Sequence, residues 1–366
     1  MCAMADYFEI DFLAVETKKS GDAIPLRYEA GGRTYIHVVD GGFQETGEKI
    51  IEHVKQHYGN PSAVDHVVVT HPDGDHTVGL RQVLEEFEVR ALWMLRPWLY
   101  AAEIIDRFTN FTSVENLKRR LRELYPNLVA LEEIANRKGI PILEPFSGSQ
   151  IGQFRVLGPN RSTYLDLIVI SEKTPEHTGE ESSGAQVSLA ETVKRMVAKV
   201  VNTIRAAWGD EIFSDEETSA ENEMSVVQYA NICDQKILLT GDAGRRALSE
   251  AADYALLIGV SLPGFHRVQI PHHGSRRNVS TEVLDRLFGP RLASKLAEGS
   301  ETFTAICSSA KEDEDHPRKA VVRAFYHRGA KVIATEGQSI RTQKNAPARE
   351  GWVAVPSYPY PEEQEE

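Results

Sequence analysis

Cysteine is scarce in this chain. The 366 residues hold three, Cys2, Cys233 and Cys307. They are too few and too widely spaced for a disulfide framework or a thiolate zinc site. Cys233 and Cys307 fall in strand-like runs and read as small packed hydrophobes. Long apolar stretches are missing as well. No run approaches the roughly 20 residues that cross a bilayer. Residues 1–6 lack the basic-then-apolar order of a secretion signal. Positive charge is in deficit, with 41 Lys and Arg against 54 Asp and Glu, a net charge of −13. That opposes loose attraction to nucleic-acid backbones, which depends on clustered Lys and Arg. It does not exclude a phosphate-bearing substrate held by local cations or metal ions. The expectation is a cytoplasmic protein with no membrane partner.

What is present is a pattern of strands ending in polar residues. Runs at 23–28 and 34–39 flank Gly31-Gly32 and read as a hairpin. A helix is expected over 49–58, then a strand over 65–70, a helix over 77–87 and a strand over 89–95. Helices over 114–125 and 127–137 are parted by Pro126 and stopped at Lys138-Gly139. Strands resume at 225–232 and 236–239, followed by a helix over 244–254 and strands at 267–270, 302–307 and 330–334. Two sheets between helical layers, with a site along one edge, fit this order.

Residues 171–223 read as an insertion in a domain spanning 1–355. A polar stretch over 171–184 leads to a helix predicted over 188–208 from the spacing of Leu189, Val193, Met196, Val197, Val200, Ile204 and Trp208. That stripe must bury against the domain, a protein partner or a second copy. The tail, 356–366, is rich in Pro and Glu and is expected to be disordered.

The densest chemistry is His71-Pro72-Asp73-Gly74-Asp75-His76, directly after Val67-Val68-Val69. Four candidate ligands lie within six residues at the tip of a buried strand, and histidine with carboxylate suits hard or borderline divalent ions. Asp242 ends a second apolar run, His272-His273 a third, and His316 lies in an acidic loop. Buried strand tips rarely present carboxylates and imidazoles without a counter-charge, because desolvating them is costly. His53 and His57, one helical turn apart, read instead as a solvent-facing pair. Arg245-Arg246 and Arg276-Arg277 follow these motifs and read equally as phosphate contacts or as surface charge balance.

These segments resemble the metallo-β-lactamase superfamily, and within it the hydrolase domain of the ComEC competence proteins. The resemblance rests on Gly21-Asp22-Ala23-Ile24, Asp40-Gly41-Gly42, Thr70 to His76, Leu238-Leu239-Thr240-Gly241-Asp242, Pro271-His272-His273-Gly274-Ser275 and His316-Pro317. It implies a four-layer αββα sandwich and a metal-dependent hydrolase, expected here as a stand-alone domain without channel segments. It further implies that His71 and Asp73 hold one ion, that Asp75, His76 and one of His272 and His273 hold a second, and that Asp242 bridges. Asp73 stands where most of the superfamily has a histidine. No histidine other than His177 lies between the first motif and Asp242, and Asn222-Glu223-Met224-Ser225 fills the expected place. An oxygen-rich site favours Mn²⁺ or Mg²⁺ beside Zn²⁺.

The resulting expectation is two-metal cleavage of a phosphodiester in DNA, RNA or a nucleotide. Asp75 orients the water, His316 protonates the leaving oxygen, and Gly274, Ser275, Ser225 and Arg276 contact substrate. Hydrolysis of another ester, a lactone or a lactam is the second enzymatic reading. A metal-bound interaction module is the alternative from a different class.

Overall fold

The structure, a computed structural model, describes residues 7–15, 18–174 and 203–366. Two seven-stranded sheets carry it. From edge to edge the first runs Ile340–Lys344, Phe8–Phe12, Ala23–Ala30, Arg33–Gly41, His66–Val68, Leu92–Trp93 and Ile142–Leu143. The second runs Ala330–Ala334, Phe303–Cys307, Arg267–Gln269, Gln235–Leu239, Val227–Ile232, Phe154–Gly158 and Gln150–Ile151. In each sheet four consecutive strands are parallel: those from Arg33–Gly41 to Ile142–Leu143 in the first, and from Gln235–Leu239 to Ala330–Ala334 in the second.

Parallel strands need cover on both faces, and three apolar cores supply it. Phe8, Ile10, Leu26 and Val68 meet Phe154, Ile237, Leu239 and Ile306 between the sheets. Helices Gln44–His57, Leu80–Glu86 and Pro126–Lys138 cover the first sheet through Ile50, Val54, Val83 and Leu131. Helices Arg245–Leu257, Thr281–Phe288 and Lys319–His327 cover the second through Ala251, Leu284 and Phe325. The stack is the αββα sandwich expected from the sequence. In open sheets of this kind, ligands sit beyond the carboxyl ends of the parallel strands, which is where the candidate ligands lie.

Several local expectations change. The helix predicted over 77–87 is divided into Gly74–Thr77 and Leu80–Glu86. Gly79 lies so close to the first sheet that an added Cβ would come within 2.0 Å of the Gly41 carbonyl oxygen. Most of the helix predicted over 188–208 lies outside the described residues. Its end is not helical: Thr203–Arg205 is a strand pairing antiparallel with Glu363–Glu365. The tail expected to be disordered is therefore held in place. Gln364 is buried and accepts a hydrogen bond from the Ile212 amide at 2.9 Å, and Arg323 donates to the Pro361 carbonyl at 2.6 Å. Polar side chains answering backbone groups fix this segment together with Tyr358 and Tyr360, which pack on the core under the second sheet's helices. His53 is also buried, against Asp11 at 3.0 Å, and is not the surface residue its helical spacing suggested. Among the described residues, no helix is long and apolar enough to cross a membrane.

Candidate metal centre

The loop after His66–Val68 is tied down at its first residue. Asp40 accepts from the Thr70 amide at 2.9 Å and from the Thr70 hydroxyl at 2.6 Å. Asp40 itself has φ 56°, a backbone region that Asp tolerates better than most residues. The short helix Gly74–Thr77 then turns Asp75 and His76 inward. From the second sheet, Thr240-Gly241 delivers Asp242. Gln269 accepts from both amides of that turn, at 2.9 and 3.1 Å. His272 and His273 follow with φ 46° and 53°. Two consecutive side-chain-bearing residues in the left-handed region cost on the order of 1–3 kcal/mol each and cluster at functional sites.

These residues form two sets around Asp242. Its Oδ2 lies 3.5 Å from His71 Nε2 and 3.6 Å from His272 Nε2, and Asp73 Oδ2 is 3.8 Å from His71 Nε2. Its Oδ1 lies 3.3 Å from His76 Nε2 and 3.9 Å from His273 Nε2; Asp75 Oδ2 is 3.6 Å from His273 Nε2 and 3.8 Å from His76 Nε2. The two histidines of the pair thus face different oxygens of one carboxylate. His272 supplies the nitrogen that the first set lacked in the sequence. Each set offers two imidazoles and two carboxylates.

The donor atoms fit metal ions. The Nε2 atoms of His71, His76 and His273 and Oδ1 of Asp242 are buried without a hydrogen-bond partner. Orphaned buried polar atoms are rare in native interiors, and these converge. The opposite ring nitrogens are all engaged: His71 Nδ1 with Thr70 Oγ1 at 3.0 Å, His76 Nδ1 with Asp40 Oδ2 at 2.8 Å, His273 Nδ1 with the Ser308 carbonyl at 2.8 Å, and His272 Nδ1 with Asn278 Oδ1 at 2.9 Å. Anchoring one nitrogen leaves the other lone pair aimed at a cation, the usual support for a metal-bound imidazole. Burial pushes the Asp242 carboxyl up, but His76, His272, His273 and His71 outweigh it and hold the group well below the usual carboxylate range. Burial likewise lowers His273, yet Asp242, Asp75 and Asp22 raise it to about 9. The site is an excess of negative charge that calls for cations.

Other expected residues take different places. Ser225 is fully buried and its hydroxyl accepts from the Asp242 amide at 3.1 Å, so it positions Asp242 and cannot reach a substrate. Gly274 packs on Pro317, and its carbonyl accepts from the Arg318 amide at 3.1 Å. Ser275 is buried and accepts from the Arg277 amide at 3.3 Å. Arg276 donates to the Glu366 carbonyl at 3.3 Å. These three build the loop and the tail contact instead of lining the cleft. Arg245 is held by backbone carbonyls, and Arg246 and Arg277 pair with Glu250 and Glu216. His316 does reach the site: its ring lies 5.6 Å from that of His272 and 6.0 Å from that of His273, with Nδ1 3.3 Å from Asp313 Oδ2.

Asp22 was not among the candidate ligands. Its donor atoms, with those of His76, Asp242 and His273, lie within 4.8 Å of one another. Gln269 donates to its Oδ2 at 2.8 Å, while Oδ1 has no partner. Burial raises its carboxyl. The sequence signal was there, in the Gly21-Asp22-Ala23-Ile24 segment, but an acidic residue so far upstream offers no spacing argument.

Residues 28–111 match the family model described as the metallo-beta-lactamase superfamily. Similar solved structures include the metallo-beta-lactamase fold protein YhfI from Bacillus subtilis, at 7% identity over 92% of this chain and 100% of that one, TM-score 0.39. They also include CmlA, a diiron beta-hydroxylase from Streptomyces venezuelae, at 12% identity over 92% and 54%, TM-score 0.38. A third is a putative metallo-beta-lactamase from Thermotoga maritima, at 10% identity over 69% and 87%, TM-score 0.29. This chain spans about half the length of the CmlA chains. No curated protein sequence matches it.

Proposed function

We propose that this domain is a two-ion phosphodiesterase. The observation that supports this reading most is the convergence of the orphaned Nε2 atoms on the two oxygens of Asp242. His71, Asp73, His272 and Asp242 would hold one divalent ion, and Asp75, His76, His273 and Asp242 the other, with the buried Asp22 beside the second set. Two imidazoles and two carboxylates per ion accommodate Mn²⁺ and Zn²⁺. Such ions supply Lewis-acid polarisation of phosphoryl oxygens and a water acidic enough to attack near neutral pH.

The remaining work falls to side chains. Asp75, 30% exposed towards the cleft, orients the attacking water. His316 gives its Nδ1–H to Asp313 and is held below the ordinary histidine range by burial, so its free Nε2 takes the proton released by the attacking water and passes it to the leaving oxygen. Asp73 in place of a third imidazole, with its other oxygen 2.9 Å from Lys173 Nζ, gives the first set the harder oxygen character suited to phosphoryl transfer. The ComEC resemblance points the same way.

Protein purified without chelator is expected to bind two ions per chain and, with Mn²⁺, to hydrolyse bis(p-nitrophenyl) phosphate but not a chromogenic lactam. Asp242→Ala and His71→Ala are expected to abolish turnover. Unchanged turnover in both variants, or less than one ion per chain after Mn²⁺ loading, would overturn the proposal.

A further inference from the structure

We infer that the cleft is built for a short nucleotide diester, linear or cyclic, and not for a long nucleic-acid strand. This rests on the phosphodiesterase reading and names the size of its substrate. The metal-facing residues open onto a cleft of about 570 Å³, within the usual range for small-molecule sites of roughly 300–1,000 Å³. Its lining carries charge of both signs. Lys18, Lys19 and Phe43 line it together with Asp313, Asp315 and His316. Ser20 donates to Asp313 through its hydroxyl at 2.6 Å and its amide at 3.3 Å, which ties the Lys18-Lys19-Ser20 segment to the acidic loop. The exposed lysines therefore stand at the rim of the cleft, next to the acidic loop. They suit a phosphate of the substrate beyond the scissile one. The half-buried Phe43 ring offers a base a stacking face.

The acidic loop is what excludes a polymer. Glu312, Asp313, Glu314 and Asp315 are four acids in sequence. Arg318 pairs with Asp315 and His316 with Asp313. Glu312 and Glu314 are exposed and, with Asp313, outnumber Lys18 and Lys311 in the lining of a second depression that shares Lys18 and Asp313 with the cleft. A single strand leaving the cleft in this direction lays successive phosphates against them, whereas a short diester ends before it reaches them. Polymer binding relies on charge of the opposite sign along the track, and a net charge of −13 offers little elsewhere.

The test uses the full chain loaded with Mn²⁺ and three substrates: bis(p-nitrophenyl) phosphate, a dinucleotide and a single strand of about 30 nucleotides. Without turnover of the first, the phosphodiesterase reading fails and the size inference falls with it. Given that turnover, kcat/KM per cleavable bond is expected to be at least about tenfold higher for the dinucleotide than for the strand, the scale on which electrostatic steering acts. Lys18→Ala with Lys19→Ala is expected to raise KM for the dinucleotide about fivefold or more with kcat kept, and Lys18→Arg with Lys19→Arg to restore it. Glu312→Lys with Glu314→Lys is expected to raise strand cleavage about tenfold while dinucleotide turnover stays within about twofold. Strand cleavage as efficient as dinucleotide cleavage in the wild type, or no response of strand cleavage to the charge reversal, overturns the inference.

Discussion

Two buried charge clusters, one under the helix Gln44–His57 and one at the strand tips around Asp242, obey different rules. The first, on Phe8–Phe12, places Glu9 and Asp11 in the interior with Arg27, Arg341, Arg349, His53 and Tyr58. Every carboxylate oxygen there is met: Glu9 by three guanidinium groups, Asp11 by Arg349 at 2.7 and 2.8 Å and by the Tyr58 hydroxyl at 2.6 Å. One guanidinium nitrogen, Arg349 Nε, is left over. The second cluster, around Asp242, leaves its acceptors open and aims them at one another across gaps of 3.3–3.9 Å. Burial with full pairing marks a structural clasp; here it binds the first strand to residues 341–349. Burial with convergent unpaired acceptors marks a place for cations. Histidine and carboxylate content alone does not separate the two.

The comparison breaks if stability and metal binding fail to dissociate. Asp11→Asn is expected to cost about 3–5 kcal/mol in urea unfolding, because it strands buried partner charges. The folded variant should still bind two Mn²⁺ per chain. Asp242→Ala should do the reverse, losing ions while the metal-free protein unfolds near the wild-type midpoint. Loss of metal in the Asp11 variant without loss of stability would erase the distinction. A smaller effect is expected at Asp40, which touches no ion but accepts from Thr70 and His76. Asp40→Asn should weaken Mn²⁺ affinity by roughly 10–100-fold, the usual cost of removing such a support. Calorimetric titration of metal-free protein reads this directly.

The same contrast explains what was legible beforehand. The His71-to-His76 loop and Asp242 announced themselves because local spacing carries metal geometry and apolar runs mark buried strand tips. The two sheets followed from the same alternation. Whether His272 or His273 faces the site was not decidable from spacing, because the answer depends on two left-handed residues that send the rings to different oxygens. Asp22 and Asp40 were quoted within motifs but had no spacing to their partners; only the pairing of distant strands brings them under His76. His53 and the tail were misread for a shared reason. Their contacts, Asp11 for His53 and Ile212 and Lys319 for the tail, come from segments far away in sequence. The helix divides at Gly79, which packs against Gly41 and donates its amide to the Gly42 carbonyl at 3.1 Å, a contact that periodicity does not register.

A buried histidine outside both clusters sharpens the comparison at the level of pH. His37 is fully buried between Phe154 and His66, with neither ring nitrogen hydrogen-bonded. Burial, and then His66, holds it well below the ordinary histidine range. A depressed value means that the unfolded chain binds the proton more readily than the native one. Stability from this residue is thus complete above the ordinary value near 6.5 and is lost as pH falls below it towards the native value. His37→Phe is expected to flatten the fall in thermal midpoint between about pH 6.5 and 5. An unchanged slope would mean that another group sets the acid sensitivity.

The smallest effect is expected where the tail meets the last helix. Both oxygens of the buried Glu365 accept from the first free amides of Lys319–His327, Lys319 at 2.8 Å and Ala320 at 3.0 Å. A carboxylate there answers two unpaired donors and the positive end of the helix dipole. Loss of such a cap costs about 1 kcal/mol. The helix follows directly on His316-Pro317-Arg318, so its first turn also sets where His316 stands. Glu365→Ala should therefore lower unfolding stability by about that amount and kcat for bis(p-nitrophenyl) phosphate by a few-fold, while leaving two ions bound. Glu365→Gln, which keeps an acceptor for one amide, should recover part of both. A fall in metal content would instead mean that the tail supports the His272–His273 loop, through Gly274 and Arg318, more than it supports His316.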